Sequence, residues 1–366
     1  MPRFPGLDSL RTYAALFVVI GHIPMTLESR GLPHPTLGAA SFRGAYAVSF
    51  FFTLSGFLIT YLLLDEQERR GRIDVGAFYL RRVLRIWPLY FAVITFGLLF
   101  YNGVLPRLGM AYEVKYSLPL AILLYVLFLP NLMNSLYSVG GILNPTWSIG
   151  IEEQFYLSWA PAVKRWHARL PWLAGAVLAL SLGLFVVSPL FTHNVGWQAK
   201  LLDQLKFHFM AVGALAAWGV KRHRERFLGW PLFRRPALQW LLGGLLAAFY
   251  LTSLFPLGRL SAELFQLLLY PWLVVEIGAN PARRLPLENR LANWLGEISY
   301  GLYMLHMPVV YLTVGLLERL GPWHDRPLLL GVLAYALTIG ITVLAAFLSF
   351  RLFERPILGL KIRLAR

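Results

Sequence analysis

Residues 171–191 read PWLAGAVLALSLGLFVVSPLF, a run without a single charged side chain. As a helix, such a run covers the roughly 30 Å hydrocarbon core of a bilayer. The pattern recurs in both directions. Apolar runs near 7–27, 46–64 and 84–101 precede it, and runs near 201–219, 237–255, 260–278, 294–316 and 328–350 follow it. Across the 366 residues, 57% are hydrophobic and 14% are charged, whereas a soluble domain carries roughly a quarter charged residues. The chain therefore reads as an all-α, polytopic membrane helix bundle. A single integral-membrane domain spans 1–366, with no soluble C-terminal domain expected.

Residues 118–163 need a separate argument. An apolar run (118–132) is followed by a polar turn with Gly140, Gly141, Asn144 and Pro145. A less apolar run (146–163) then carries Glu152 and Glu153. Lys and Arg collect in the cytoplasmic loops of multi-spanning proteins. With a cytoplasmic N-terminus and one crossing in 118–163, 25 of the 34 Lys and Arg fall on the cytoplasmic side and 9 on the other. Two crossings would move the later basic clusters, Lys221 to Arg235 and Arg283 to Arg290, to the far side. The expectation is about ten transmembrane helices, both termini cytoplasmic, and one re-entrant or interfacial segment in 118–163. Irregular backbone at membrane depth is tolerated only beside protein or a water-filled cavity, so the Gly-Gly and Asn-Pro turn points to a cavity. No small-residue cleavage site follows the first run, which reads as an uncleaved helix.

Composition also excludes chemistry. The absence of cysteine removes disulfides, a thiolate nucleophile and cysteine-bound metals. The net charge of +16 follows from membrane sidedness, and no soluble platform offers those charges to nucleic acid. No metal-ligand spacing, phosphate-binding glycine loop or nucleophile elbow occurs. His34 and His193, with the other loop histidines, read as solvated.

Ionisable groups inside spans are costly and default to functional roles. Arg11 and His22 lie eleven residues apart, hence on one helix face and roughly 16 Å apart along the axis, with Asp8 one turn before Arg11. A cation at one end and an imidazole at the other suit a long ligand with an anionic head and a reactive tail, and histidine is the usual general base. The alternative is a snorkelling arginine and a histidine bonded to a neighbouring helix. In the stretch from Tyr79 to Tyr90, Arg81, Arg82 and Arg85 sit at helical spacing and can grip phosphate oxygens, or simply mark the cytoplasmic side. In the stretch from Asn144 to Tyr156, the adjacent Glu152 and Glu153 point to different helix faces, so at most one is expected to line a cavity. Ser299, Tyr303 and His306 can share a polar stripe. His208, Glu263 and Glu276 read as cavity-lining or pairing residues.

Together these elements resemble the acyltransferase 3 family of bacterial integral-membrane acyltransferases. Leu7-Asp8-Ser9-Leu10-Arg11 through His22 resembles its opening motif, and Phe51 to Ile59, with Ser55-Gly56-Phe57 at its centre, its second-span signature. The stretches Arg81–Tyr90, Trp147–Tyr156 and Ser299–His306, and Glu354-Arg355-Pro356 near the end, match in order. The resemblance implies ten spans in a bacterial inner membrane and an O-acyltransferase activity. It implies acetyl-CoA or another acyl-CoA as a cytoplasmic donor substrate, with no permanently bound cofactor or metal. The acceptor is a hydroxyl on an envelope carbohydrate or lipid-linked glycan. On this resemblance His22 is the catalytic histidine, and Arg11, Arg82 and Arg85, with Arg81 beside them, hold coenzyme A phosphates. Glu153 or Glu152 is the acidic partner, supported by Asp8, Ser55, Trp147, Ser148, Tyr303 and His306. Some relatives carry an additional C-terminal esterase-like domain, so either direct transfer or a separate acyl-accepting protein is expected. An acyl-enzyme through Ser55, Ser148 or Ser299 is a second chemical route. A transporter without covalent chemistry is the rival class, since broken helices and buried charge also mark carriers. A non-catalytic scaffold would not need a buried His–Arg face.

Overall fold

The computed structural model describes residues 4–33, 44–107, 109, 114–191, 196–252 and 257–364; His34 and His193 lie outside them. Among the described residues, ten helices of sixteen residues or more carry the architecture. They are α1 (Pro5–Ser29), α2 (Gly44–Arg70), α3 (Val75–Leu99), α4 (Thr146–Trp166), α5 (Leu170–Val187), α6 (Phe207–Arg222), α7 (Pro236–Leu251), α8 (Arg259–Gly278), α9 (Ser299–Leu320) and α10 (Pro327–Ser349). Seven helical stretches among the described residues are long and apolar enough to cross a membrane. One of them, Thr146–Phe191, is divided at His167–Arg169 into α4 and α5. Large apolar side chains such as Trp172, Leu268 and Leu328 stand exposed on the outer helix faces, as in a protein solvated by lipid.

Local chemistry sets the helix ends. Pro5 occupies the first turn of α1, where its missing N–H costs nothing, and Asp8 complements the dipole there. Asp74 caps α3 by accepting from the Ala77 N–H at 2.9 Å, a bond that holds its carboxyl below the usual range. The α2–α6 contact is a backbone contact. A Cβ added at Gly56 would lie 2.0 Å from the Met210 carbonyl oxygen, and one at Gly213 would lie 2.1 Å from the Thr53 carbonyl oxygen. Small residues allow membrane helices this approach, which gives the glycine of the second-span signature a packing role.

The ambiguous region resolves in favour of its less apolar half. α4, with both glutamates, is the long helix, and the apolar run before it is broken into Leu118–Val126 and Pro130–Leu136. A nine-residue helix rises roughly 14 Å, too little to cross. The break falls at Phe128, at φ 55°. Its carbonyl accepts from Gln154 Nε2 at 2.9 Å, and Gln154 also donates to Asn131 Oδ1 at 2.8 Å. Tyr90 donates to the Tyr125 carbonyl at 3.1 Å and stacks on Phe128 at 4.7 Å. The irregular backbone is thus satisfied by α3 and α4, as such backbone at membrane depth requires.

Most buried apolar side chains form one large cluster across α1–α9, which Tyr303 and Met304 of α9 join. A smaller one joins Val19, Ile23 and Leu27 of α1 to Val310, Val314 and Leu317 of α9 and to Leu330 and Ala334 of α10.

Candidate active site

The first turns of α1 are clamped by the short helix Arg290–Glu297. Ser9 donates to Asn293 Oδ1 at 2.7 Å, and Thr12 donates to the Ala292 carbonyl at 2.5 Å. A Cβ at Gly296 would lie 2.1 Å from the Asp8 carbonyl oxygen. This clamp fixes Asp8, whose Oδ1 accepts from Arg11 Nη1 at 2.7 Å. Arg82 and Arg85 of α3 lie within electrostatic range of Arg11 and of each other, forming a three-arginine group. The Arg82 guanidinium sits 5.8 Å and 5.9 Å from the ring centres of Phe78 and Tyr156, and its Nε has no partner among the described residues. Arg85 donates to the Glu297 carbonyl at 3.2 Å. Arg81 turns elsewhere, pairing with Glu66 at 3.4 Å.

The adjacent carboxylates of α4 diverge, since neighbouring helical residues project about 100° apart. Glu152 accepts from Tyr156 at 2.6 Å and from Ser55 at 3.2 Å, within electrostatic range of Arg82 and Arg11. Glu153 is buried against α3, where Oε2 accepts from Trp87 Nε1 at 3.1 Å and Oε1 has no partner among the described residues. One turn before Glu152, Ser148 Oγ lies 2.6 Å from the Tyr303 hydroxyl, which also donates to the Pro145 carbonyl at 3.1 Å. Trp147 packs edge-on to Phe52 at 6.0 Å. Ser299 donates to the Gly296 carbonyl at 2.8 Å.

His22 and His306 face each other with ring centres 5.0 Å apart. His22 Nδ1 lies 2.8 Å from the Val18 carbonyl oxygen, and His306 Nδ1 lies 2.5 Å from that of Tyr303. A carbonyl only accepts, so in each neutral ring Nδ1 carries the proton and Nε2 carries the lone pair. His306 is fully buried, and its Nε2 has no partner among the described residues. His306 Nε2 is thus a buried acceptor without a donor, beside the His22 ring, an arrangement that a hydroxyl would complete.

The structure therefore joins Arg11, Arg82 and Arg85, joins Ser55 with Glu152, Ser148 with Tyr303, and His22 with His306, while Arg81, also within electrostatic range of Arg82, is paired with Glu66. Sequence reasoning passed over Tyr156 and Trp87 as site residues. The signal for Tyr156 was its i,i+4 spacing from Glu152; none marked Trp87 as the partner of Glu153. Two other buried carboxylates are bonded away from this site. Glu263 accepts from Lys206 at 2.9 Å and meets His208 Nε2 at 2.8 Å, while His208 Nδ1 meets Ser181 Oγ at 2.8 Å. Glu276 accepts from Asn280 at 2.7 Å.

A membrane-embedded face of this kind, with arginines at one end and imidazoles deeper in, coincides with a family match along nearly the whole chain. A family model described as an acyltransferase domain matches residues 4–351, and the chain belongs to this acyltransferase 3 family. It is similar to the peptidoglycan O-acetyltransferase OatA of Listeria monocytogenes, 27% identical over 381 residues that cover 96% of this chain and 55% of that protein. It is 26% identical to the O-acetyltransferase OatA of Staphylococcus aureus over 97% of this chain and 57% of that protein. It is also 27% identical to nodulation protein 10 of Rhizobium leguminosarum bv. viciae, over 97% of this chain and 94% of that protein. The chain thus spans little more than half the length of the two OatA proteins. No solved structure matches it.

Proposed function

We propose that this chain is a membrane O-acyltransferase that passes an acetyl group from cytoplasmic acyl-CoA to a hydroxyl of a cell-envelope carbohydrate, with His22 as general base. The observation that carries this reading is the imidazole pair, with His22 on the same face of α1 as Arg11 and the unpartnered His306 ring of α9 5.0 Å from it. The arginine group suits the pyrophosphate, because guanidinium forks bind phosphate oxygens in pairs. Roughly 16 Å of α1 separate Arg11 from His22, which leaves room for a pantetheine arm laid along the helix. The name of the Listeria relative, a peptidoglycan O-acetyltransferase, supports a glycan acceptor. The basic loops support cytoplasmic termini, hence a donor site facing the cytoplasm of a bacterial inner membrane.

In the proposed step, the acceptor hydroxyl donates to His22 Nε2. Its oxygen attacks the thioester carbonyl as the proton moves to the imidazole. The C–S bond breaks, the acyl group stays on the acceptor oxygen, and the proton passes from the imidazolium to the departing thiolate. General-base assistance contributes roughly 100- to 10,000-fold, and alignment of the two substrates adds to it. Glu152, held by Ser55 and Tyr156, balances the arginine charge along the path of the arm.

The test is a reconstitution with acetyl-CoA labelled in the acetyl group and envelope-glycan fragments, without a second protein. Label covalently attached to glycan, together with free CoA, supports direct transfer. Substrate moved across the bilayer unchanged, with no label transferred, overturns the reading in favour of transport.

A further inference from the structure

Two clefts meet beside the three-arginine group and play no part in the chemistry above. The larger, of about 780 Å³, is lined by the loop from Arg283 to Asn289 and by Arg290, Asn293, Trp294 and Glu297. The smaller, of about 290 Å³, runs on from Trp294 and Glu297 to Phe347, Arg351 and Arg355. A binding site for a small organic molecule has a comparable volume. Glu297 lines both clefts, and its carbonyl accepts from Arg85, so one residue links the clefts to the group assigned to the pyrophosphate, none of whose arginines lines either cleft.

Their chemistry is specific. Five arginines face two glutamates. Arg283 is engaged, bonding the Ile277 carbonyl at 2.6 Å and pairing with Glu288. Arg284, Arg290 and Arg351 have no hydrogen bond or ion pair from their side chains among the described residues. Trp294 lies 6.0 Å from Phe347 and remains 40% exposed at the junction of the two clefts. Arginines without partners around an indole match an anionic group attached to an aromatic base: the guanidiniums take phosphate, and the indole takes the π-face.

We propose that this double cleft holds the 3′-phosphorylated adenosine end of the donor, with the base on Trp294 and the 3′-phosphate on Arg284 and Arg290. The proposal rests on the acyl-CoA reading above. It assigns the three-arginine group to the pyrophosphate and the cleft to the nucleotide beyond it. An anionic lipid headgroup shares the phosphate chemistry but lacks the base.

The experiment measures binding of CoA, 3′-dephospho-CoA and adenosine 3′,5′-bisphosphate to the full chain in detergent free of anionic lipid. It uses wild type, Trp294→Ala, Trp294→Phe and the double variant Arg284→Gln/Arg290→Gln. Adenosine 3′,5′-bisphosphate is expected to compete with CoA. Trp294→Ala is expected to weaken CoA roughly tenfold through lost stacking, with Trp294→Phe recovering most of it. The double variant is expected to bind CoA and 3′-dephospho-CoA alike, a loss of discrimination that a merely unstable protein would not show. Wild-type CoA affinity in both Trp294→Ala and the double variant overturns the cleft assignment and leaves the acyl-CoA reading standing. Loss of phosphatidylglycerol binding from nanodiscs, with CoA binding intact, overturns it in favour of a lipid site. A wild type that binds no CoA overturns both.

Discussion

Replacing His22 by Asn separates the chemistry of the imidazole from its structural bond. The Nδ1–H of His22 is spent on the Val18 carbonyl at 2.8 Å. An Asn amide can keep an N–H on that carbonyl, but it offers no basic lone pair. Turnover is expected to fall by roughly 100- to 10,000-fold, equivalent to about 3–5 kcal/mol of barrier. Donor affinity should be nearly untouched, since Arg11 lies roughly 16 Å away along the helix. Acetyl-CoA titration of the purified protein gives the affinity, and release of free CoA in the presence of glycan fragments gives the rate. His306→Asn and the double variant complete a cycle. Because the two rings lie 5.0 Å apart, the two losses should be non-additive, with a coupling of about 0.5–3 kcal/mol. Wild-type turnover in His22→Asn refutes the assignment. So does a donor affinity that falls in step with the rate, because the histidine would then be holding the donor rather than moving a proton.

The arginines should not be equivalent. Arg85→Gln should weaken CoA binding roughly tenfold or more, as for a lost charged hydrogen bond, whereas Arg81→Gln, whose arginine pairs with Glu66, should bind like wild type; equal losses by calorimetry would erase the distinction. Glu263→Gln leaves Lys206 and His208 facing a neutral partner in the interior, at a cost of about 3–5 kcal/mol. Unfolding in detergent should shift to lower temperature while CoA affinity is retained, and an unchanged midpoint would show the network to be dispensable. Gly56→Ala drives a methyl into the Met210 carbonyl, so the α2–α6 contact should loosen by about 1–3 kcal/mol. A protein as monodisperse and heat-stable as wild type would mean that the helices part freely.

What the sequence disclosed followed from where the physics is local. The polytopic helical class depends on apolar runs of about twenty residues and was legible, whereas seven helical stretches among the described residues, against the ten expected spans, are long and apolar enough to cross. The face shared by Arg11 and His22 depends only on helical period. The break at Phe128 was not legible, because a left-handed backbone at a non-glycine residue leaves no local mark. It is held from outside by Gln154, Tyr90 and Asn131. Likewise the divergence of Glu152 and Glu153 was readable from helix geometry, but which one meets Ser55 and which meets Trp87 depends on how α2 and α3 lie against α4. The double cleft brings a loop and a short helix before α9 together with the end of α10. No spacing rule connects Trp294 to Arg351.

The small apolar cluster has a mechanical consequence. Val19 and Ile23 bracket His22 on α1, and Val310 lies one turn beyond His306 on α9. Both imidazoles are therefore mounted on the part of the bundle that α1, α9 and α10 share. Ser148, Glu152 and Ser55 stand on helices of the larger cluster. Val18 of α1 and Tyr303 and Met304 of α9 belong to the larger cluster as well, and Tyr303 bonds Ser148 of α4, so the two histidines are braced from both clusters at once. In the proposed reaction, rigidity on both sides rather than a moving part would keep the base in place.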